Sequence, residues 1–428
     1  MSPRSRKTGL PMPTARPEEV GISAQRLALI RPALQKFIDR RLVPNLVTLI
    51  ARHGKIVHLE AQGYMDFESR KPAGVDTFFR LWSNTKPITG TATMICVEEG
   101  LLKLDDPISK YLPAFKNPVV RVLDTTSKRG SPPSVTETVP AQREITVRDC
   151  LRNTTGLATP QYAPISYMTE FGAILKDTTW FANPIKTNDI RRTMDALAKL
   201  PLDFQPGTQF IYHVGYPIVG LILEAVTGKT LEDFYQERIF QPLGLSDTSF
   251  YLPPKKLDRF PCCYRPVREK GEWVLAVAEK PETSEKVTGP QTYFEAGGGA
   301  GGVLSTITDY ARFSQMLLNG GEIDGVRILS RKSVELMTSN HVDPGVNMAL
   351  TGPGFGFGMG VGVYKGTTPP LMRSVGTFGW SGMAGTVCLM DPKEDLLFAC
   401  FTQVMNRSLM PENTYQEEFE RLVYQALL

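Results

Sequence analysis

Ser83 and Lys86 form the one Ser-x-x-Lys sequence in this chain of 428 residues, at a point where a strand-like run gives way to a helical one. A spacing of three places both side chains on one face of the first helical turn, so they can touch. A serine hydroxyl needs a nearby group to accept its proton, and a desolvated lysine is such a group. The N–H groups at a helix start would also favour a developing oxyanion. The spacing is typical of nucleophilic catalysis, and a plain helix cap is the alternative.

The elements that would position this pair lie near both ends of the chain. A helix is predicted over residues 17–41, a β-hairpin over 46–51 and 56–61, and a helix from Ser83 to Gly100. Near the C-terminus, strands are predicted over 354–364, 376–380, 385–390 and 396–402, followed by a helix over 413–428. The middle of the chain is mostly helix and loop, and residues 158–188 carry many aromatic side chains that suit a pocket wall or plain loop packing.

This order of elements predicts an α/β (α+β) fold in which an antiparallel sheet is flanked by helices and a mainly helical domain is inserted. We expect a disordered tail over residues 1–16 and an α/β domain built from 17–105 and 290–428. Residues 106–289 would form the helical domain with the active-site loops. Ser83 would then lie in the cleft between the two domains.

Composition excludes several classes of function. The chain has 48 Lys and Arg against 44 Asp and Glu, a net charge of +4, so neither nucleic acid nor an anionic membrane is an expected partner. Six scattered cysteines do not form a disulfide framework, and the four histidines show no metal-ligand spacing, so we expect no metal and no cofactor. No apolar run reaches the roughly 18 residues of a membrane helix, and residues 1–16 lack a secretory hydrophobic region. These features predict a cytoplasmic protein, and they leave its oligomeric state open.

Three motifs in order resemble those of the serine β-lactamase and penicillin-binding-protein fold, and specifically the class C β-lactamases and the similar family VIII carboxylesterases. Ser83-x-x-Lys86 resembles the first motif, Tyr212-His213-Val214 the Tyr-x-Asn element, and Trp380-Ser381-Gly382 the Lys-Thr-Gly element of the edge strand. Residues 100–107 and 145–148 are also similar to that branch. The resemblance covers most of the chain from about Val20, and it implies a β-lactamase/transpeptidase-like fold.

The resemblance also implies roles for individual residues. Ser83 would be the nucleophile, with Lys86 and Tyr212 accepting its proton, since a phenol near an ammonium can shuttle protons at neutral pH. By the same resemblance, the backbone N–H groups of Ser83 and Met383 would form the oxyanion hole. A core tyrosine is the alternative reading of Tyr212, and Tyr216 is expected to be structural.

Two departures from the family pattern bear on the substrate. Val214 replaces an asparagine that would contact a β-lactam, and Trp380 replaces a lysine that would help to anchor the carboxylate of the antibiotic. Both changes leave an apolar wall, beside which Ser381 and Gly382 would complete the substrate-binding edge. We therefore expect a small-molecule ester with a short acyl chain as substrate, with cephalosporin hydrolysis as a weak side activity.

Other enzyme classes fit the sequence less well. A Ser-His-Asp hydrolase needs a Gly-x-Ser-x-Gly turn, and the nearest string, residues 379–383, fails at its last position. His213 occupies a variable position in the resembled motif, so we do not expect it to be catalytic. A β-lactamase, an acyltransferase and an inactive scaffold of the same fold remain as alternatives. Retention of Ser83, Lys86 and Tyr212 together favours an active serine hydrolase.

Overall fold

The computed structural model describes residues 12–123, 135–157, 190–212, 214–288, 301–343, 345–346, 354–367, 371–410 and 412–428. The aromatic-rich segment 158–188 and His213 lie outside the described residues. Among the helices in these ranges, none combines the length and the apolar character that crossing a bilayer requires.

The core of the described structure is a seven-stranded antiparallel sheet in the order β11-β12-β13-β14-β15-β1-β2. Short two-stranded pairs, β3-β8, β4-β5, β6-β7 and β9-β10, lie outside it. The strands are β1 Asn45–Arg52, β2 Lys55–Gly63, β3 Phe79–Arg80, β4 Val119–Leu123, β5 Val135–Pro140, β6 Cys263–Glu269, β7 Glu272–Glu279, β8 Leu304–Ser305, β9 Glu322–Ile323, β10 Val326–Arg327, β11 Phe355–Phe357, β12 Gly362–Tyr364, β13 Phe378–Ser381, β14 Val387–Asp391 and β15 Leu396–Phe401.

Helices cover both faces of this sheet. The described α-helices are α1 Ala24–Leu27, α2 Ile30–Asp39, α3 Lys86–Glu98, α4 Val147–Leu151, α5 Ile190–Leu197, α6 Gly215–Thr227, α7 Leu231–Tyr235, α8 Gln241–Leu243, α9 Glu285–Thr288, α10 Ile307–Leu318, α11 Arg331–Met337 and α12 Tyr415–Gln425. Short 3₁₀ turns add Pro17–Val20, Trp82–Thr85, Ile108–Lys110, Pro113–Phe115, Pro254–Arg259, Pro281–Thr283 and Arg407–Leu409, and a π turn spans Gln236–Phe240.

The side chains of β1 alternate between the two faces of the sheet, and each face packs against a separate hydrophobic core. Leu46 and Ile50 pack with α2 and α12 on one face, whereas Val47, Leu49 and Ala51 belong to the larger core that contains α3, α6 and α10. Successive side chains of a strand point to opposite faces, so a continuous apolar run is buried on both sides. Helix α3, which begins at Lys86 directly after the turn that carries Ser83, lies on the larger core side.

The predicted fold class is confirmed. The hairpin appears as β1 and β2, the four C-terminal strand runs appear as β11 to β15, and all seven strands of the sheet come from the two ends of the chain. The predicted domain boundaries at residues 105 and 290 stay a prediction.

The disordered tail predicted over residues 1–16 is wrong from Met12 onward. Met12 is only 2% exposed, the Ala15 N–H donates to the Ile56 carbonyl, and the Ile56 N–H donates to the Pro13 carbonyl. The edge strand β2 offers unpaired backbone groups, which an otherwise polar tail can satisfy. Residues 1–11 lie outside the described residues.

The helix predicted over residues 17–41 is broken into a 3₁₀ turn, α1 and α2. Gly21, with φ of 70°, ends the first turn, and the Ser23 hydroxyl accepts the Arg26 N–H to begin α1. Pro32 then interrupts continuity, because its ring conflicts with a helical carbonyl four residues earlier, at Ala28. The periodicity predicted the buried stripe but not these breaks.

Candidate active site

The Ser83 and Lys86 side chains are in direct contact. The Lys86 Nζ donates a hydrogen bond to the Ser83 Oγ at 3.0 Å. Ser83 lies in the 3₁₀ turn Trp82–Thr85, and Lys86 is the first residue of α3, so the α-helix begins three residues later than expected. In a 3₁₀ turn the side chains at i and i+3 eclipse each other, which brings this pair together. The predicted contact is therefore made by a tighter turn than the sequence indicated.

Lys86 is completely buried, with 0% of its surface exposed. Burial lowers the pKa of its ammonium group well below the usual range, because the charged form loses its hydration. The Nζ also lies over two aromatic faces, 4.6 Å from the ring centroid of Tyr212 and 5.2 Å from that of Tyr216. These contacts favour the charged form, but desolvation dominates. The lowered pKa favours the neutral amine, and a neutral amine next to a serine hydroxyl can accept its proton.

Trp82, directly before the nucleophile candidate, has a strained backbone that the sequence did not signal. Its φ is 48°, in the left-handed region that bulky residues rarely adopt. Such conformations typically cost about 1–3 kcal/mol and persist only where the surroundings enforce them. Gly301 lies against the Trp82 backbone, and a Cβ there would come within 3.2–3.4 Å of it. This left-handed residue lies between the end of β3 and Ser83.

Hydrogen bonds from distant segments fix the turn that carries Ser83. The Leu81 N–H donates to the Val303 carbonyl at 3.0 Å, and the Val303 N–H donates to the Thr85 hydroxyl at 3.2 Å. The Thr386 hydroxyl donates to the Leu81 carbonyl at 3.0 Å and accepts from the Asn84 side-chain amide at 3.1 Å. The turn is thus tied to the segment after β13 as well as to the segment before β8.

Tyr212 is brought to the pair by the loop that leads into α6. The Ile211 N–H donates to the Asn153 carbonyl at 2.8 Å, which anchors the residue before Tyr212. At the start of α6, Gly215 packs so closely on Cys150 that an added Cβ would lie 2.1 Å from its carbonyl oxygen. Tyr216 is buried and donates its hydroxyl to the Leu151 carbonyl, as a structural residue would.

Trp380 on β13 contacts the hydroxyl of Tyr212 directly. Its Nε1–H donates to the Tyr212 oxygen at 2.7 Å. The centroids of the two rings lie 5.6 Å apart, and the angle between the ring planes is 37°. Phe357 packs edge-on against the indole at 4.8 Å. Both partners of the hydrogen bond are largely buried, with 5% of Tyr212 and 9% of Trp380 exposed. The sequence placed Trp380 beside the substrate but did not predict this bond.

The end of β13 lies against the turn that carries Ser83. A Cβ on Gly382 would come 2.2 Å from the Leu81 carbonyl oxygen, so only glycine fits this approach. Within the described part of the chain, neither the Ser83 nor the Met383 backbone N–H has a hydrogen-bond acceptor. Ser381 is exposed, whereas Val214, at the start of α6, is buried in the larger core. The predicted roles of these residues in binding and catalysis stay predictions.

Comparison with known proteins indicates the family of this chain. The family model described as Beta-lactamase matches residues 30–420. Protein Rv1367c of Mycobacterium tuberculosis is 32% identical over 422 residues, covering 92% of this chain and 98% of that protein. Esterase EstB of Burkholderia gladioli is 33% identical over 241 residues, covering 56% of this chain and 54% of the esterase.

Among solved structures, EstCE1, described as a hydrolase with promiscuous acyltransferase activity, superposes with a TM-score of 0.74. It is 26% identical in sequence, and the match covers 94% of this chain and 99% of EstCE1. The matched residues include all three motifs around Ser83, Tyr212 and Trp380. The family model matches most of the chain, and the described sheet is assembled from both ends of the sequence. The chain therefore belongs to the β-lactamase family.

Proposed function

We propose that this protein is a serine carboxylesterase that hydrolyses small esters with short acyl chains. The observation that carries the proposal is the fully buried Lys86 amine, 3.0 Å from the Ser83 hydroxyl. Burying an amine is costly in free energy. A fully buried lysine beside a partly exposed serine is therefore better explained by catalysis than by a structural role. A serine activated by a neutral base is the arrangement that acyl transfer requires.

The reaction would proceed in two steps. Ser83 Oγ attacks the ester carbonyl carbon as its proton passes to the Lys86 and Tyr212 pair, and the ester C–O bond then breaks. The alcohol leaves with that proton, and the acyl group stays on Ser83. A water molecule attacks the acyl-enzyme, giving up a proton to the same pair, and the proton returns to Ser83 as the carboxylic acid is released. The division of the proton between lysine and tyrosine belongs to the pair as a unit.

The oxyanion of each tetrahedral intermediate would be held by the Ser83 and Met383 backbone N–H groups. Their lack of an acceptor among the described residues supports this assignment, since preorganised donors stabilise developing charge without reorganisation. The close packing of Gly382 on Leu81 brings the two segments that carry these donors together.

The side chains around Lys86 and Tyr212 indicate the substrate class. Trp380 presents an indole where a lysine would anchor the carboxylate of an antibiotic, and its N–H is already engaged by Tyr212. A hydrogen bond to a charged group is worth about 1.5–3 kcal/mol, so its loss disfavours a carboxylate-bearing lactam by about 10- to 150-fold. A neutral ester does not depend on that contact. Weak cephalosporin hydrolysis is compatible with this reasoning.

Two similar proteins add support. EstB is named an esterase, and EstCE1 is described as a hydrolase that also transfers acyl groups. Acyl transfer to an alcohol is therefore the second candidate function, in which the acceptor replaces water in the second step. A β-lactamase is the third candidate, and an inactive scaffold is the non-enzymatic one.

A fluorophosphonate probe followed by mass spectrometry tests the nucleophile. We expect labelling of Ser83 in the wild type and its loss, together with turnover, in Ser83→Ala. Ser381→Ala is the matched control, because Ser381 lies at the end of β13 near the same turn, and it should retain labelling. Labelling of Ser381 instead would refute the assignment, and absence of any labelling would favour the scaffold.

A comparison of kcat/KM for p-nitrophenyl butyrate and nitrocefin on one preparation tests the substrate class. We expect a clear preference for the ester, and a panel of acyl chain lengths should show the optimum at short chains. Adding an alcohol acceptor and measuring the new ester by mass spectrometry separates hydrolysis from transfer. More efficient turnover of nitrocefin would replace the esterase proposal with the β-lactamase one.

A further inference from the structure

We propose that Trp380 is a positioning residue for catalysis, which directs the phenol proton of Tyr212 and stabilises the phenolate through its indole N–H. This inference rests on the proposed function, and it assigns Trp380 a task beyond forming an apolar wall. Tyr212 would then depend on a residue 168 positions away in the sequence.

The geometry of the indole is fixed on several sides. Gly362 on β12 lies beneath the six-membered ring, and a Cβ there would come within 2.7–2.9 Å of its carbon atoms. Phe357 on β11 contacts the ring edge-on at 4.8 Å. On β13 itself, Trp380 is paired in register with Cys388 of β14. The neighbouring strands therefore hold the N–H in place, which is what a preorganised donor needs.

The chemistry of the indole determines which way the hydrogen bond runs. A tryptophan N–H is a donor only, so the Tyr212 oxygen must be the acceptor at 2.7 Å. The phenol proton must consequently point elsewhere, and the buried Lys86 amine lies over the same ring. Because the Tyr212 oxygen accepts from the indole on one side, the phenol donates its proton on the other side, towards the reacting groups.

The same bond should be stronger when Tyr212 is ionised. A hydrogen bond to a charged oxygen is roughly twice as strong as a neutral one, and a low local dielectric increases the difference. Both groups are nearly excluded from water. A neutral donor also suits this place, because a second ammonium beside the desolvated Lys86 would add repulsion. Trp380 thus stabilises the deprotonated form of the pair without adding a charge.

A double-mutant cycle of Trp380→Phe and Tyr212→Phe tests the inference. The readout is the rate of Ser83 phosphonylation by a fluorophosphonate, which needs no turnover and remains measurable in slow variants. In the wild-type background, Trp380→Phe should slow labelling by about 10- to 150-fold, the range of a hydrogen bond to a charged group. In the Tyr212→Phe background the same change should have little further effect, because its partner is gone.

The pH dependence of labelling provides a second readout that a structural role would not change. Loss of the donor should move the midpoint of the acidic limb upward by about one to two pH units, since the deprotonated pair is less stable. Trp273→Phe is the matched control: it makes the same substitution at a tryptophan on β7 that packs against Arg268 and belongs to the other core, so its midpoint should stay in place. Site-specific replacement of Trp380 by 3-benzothienylalanine retains the bicyclic shape and removes only the N–H, and it should reproduce the shift.

Three outcomes would overturn the inference. Equal losses from Trp380→Phe in both backgrounds would show that Trp380 acts on the substrate rather than through Tyr212. A benzothienyl variant with the wild-type pH profile would show that the N–H is dispensable. If Ser83 is not labelled even in the wild type, the proposed function fails first and the inference fails with it, whereas normal labelling with an additive cycle refutes the inference alone.

Discussion

Replacing Lys86 with methionine should greatly lower activity and yet stabilise the folded protein relative to the wild type at neutral pH. The reason is the burial of Lys86, which has no exposed surface and an ammonium whose pKa is lowered well below its usual range by desolvation. Methionine occupies a similar volume without a charge to desolvate. When a residue is selected for chemistry rather than for stability, its replacement should lower activity and raise stability.

The magnitude follows from proton linkage. In the unfolded chain, the pKa of Lys86 is about 10.4. In the folded protein this pKa is lowered. Between the two pKa values, the unfolded state holds a proton that the folded state has already released. The free energy of unfolding therefore rises with pH in this window, by up to about 1.4 kcal/mol per pH unit. The advantage of Lys86→Met should shrink by up to about 2 kcal/mol between pH 8 and pH 9.5. Loss of the hydrogen bond to Ser83, about 1 kcal/mol, offsets part of the gain at every pH.

Urea unfolding followed by tryptophan fluorescence at several pH values measures this difference. Lys332→Met is the matched control, because its side chain is 76% exposed, and it should follow the pH dependence of the wild type. Esterase activity of Lys86→Met should fall by about 10²- to 10⁴-fold or more, the usual contribution of positioned proton transfer. A difference between wild type and Lys86→Met that does not change with pH would show that Lys86 stays protonated in the folded protein, and the neutral-amine argument would be wrong.

Two further predictions concern the same site. Lys86→Ala and Tyr212→Phe should each lower kcat by about 10²- to 10⁴-fold with much smaller changes in KM, and an equal loss in a well-folded His213→Ala would contradict the choice of base. Gly360→Ala should lower the Tm and slow Ser83 labelling, because φ is 100° and the new Cβ would come 2.4 Å from the Lys86 carbonyl oxygen. Gly271→Ala, with φ of 90° and open space around it, should lower the Tm less and leave labelling unchanged, and the opposite ranking would refute the steric argument.

The sequence by itself determined the local features of this protein. Apolar runs bounded by turn residues predicted the hairpin β1-β2 and the C-terminal strands, and the order of elements predicted an antiparallel sheet flanked by helices. The spacing of Ser83 and Lys86 predicted their contact, since residues three apart meet in either kind of helical turn. These predictions succeed because backbone periodicity is a local property.

Only the tertiary structure decided the features on which the proposed chemistry depends. The complete burial of Lys86 requires α6 and the Tyr212 loop to close over α3, and the bond from Trp380 to Tyr212 requires β13 to lie beside that loop. The left-handed backbone of Trp82 and the ordered segment from Met12 likewise depend on contacts with distant parts of the chain. Periodicity carries no information about such contacts, because they form between side chains that many residues separate. The sequence therefore indicates which groups are candidates for the reaction, whereas packing decides their burial and orientation.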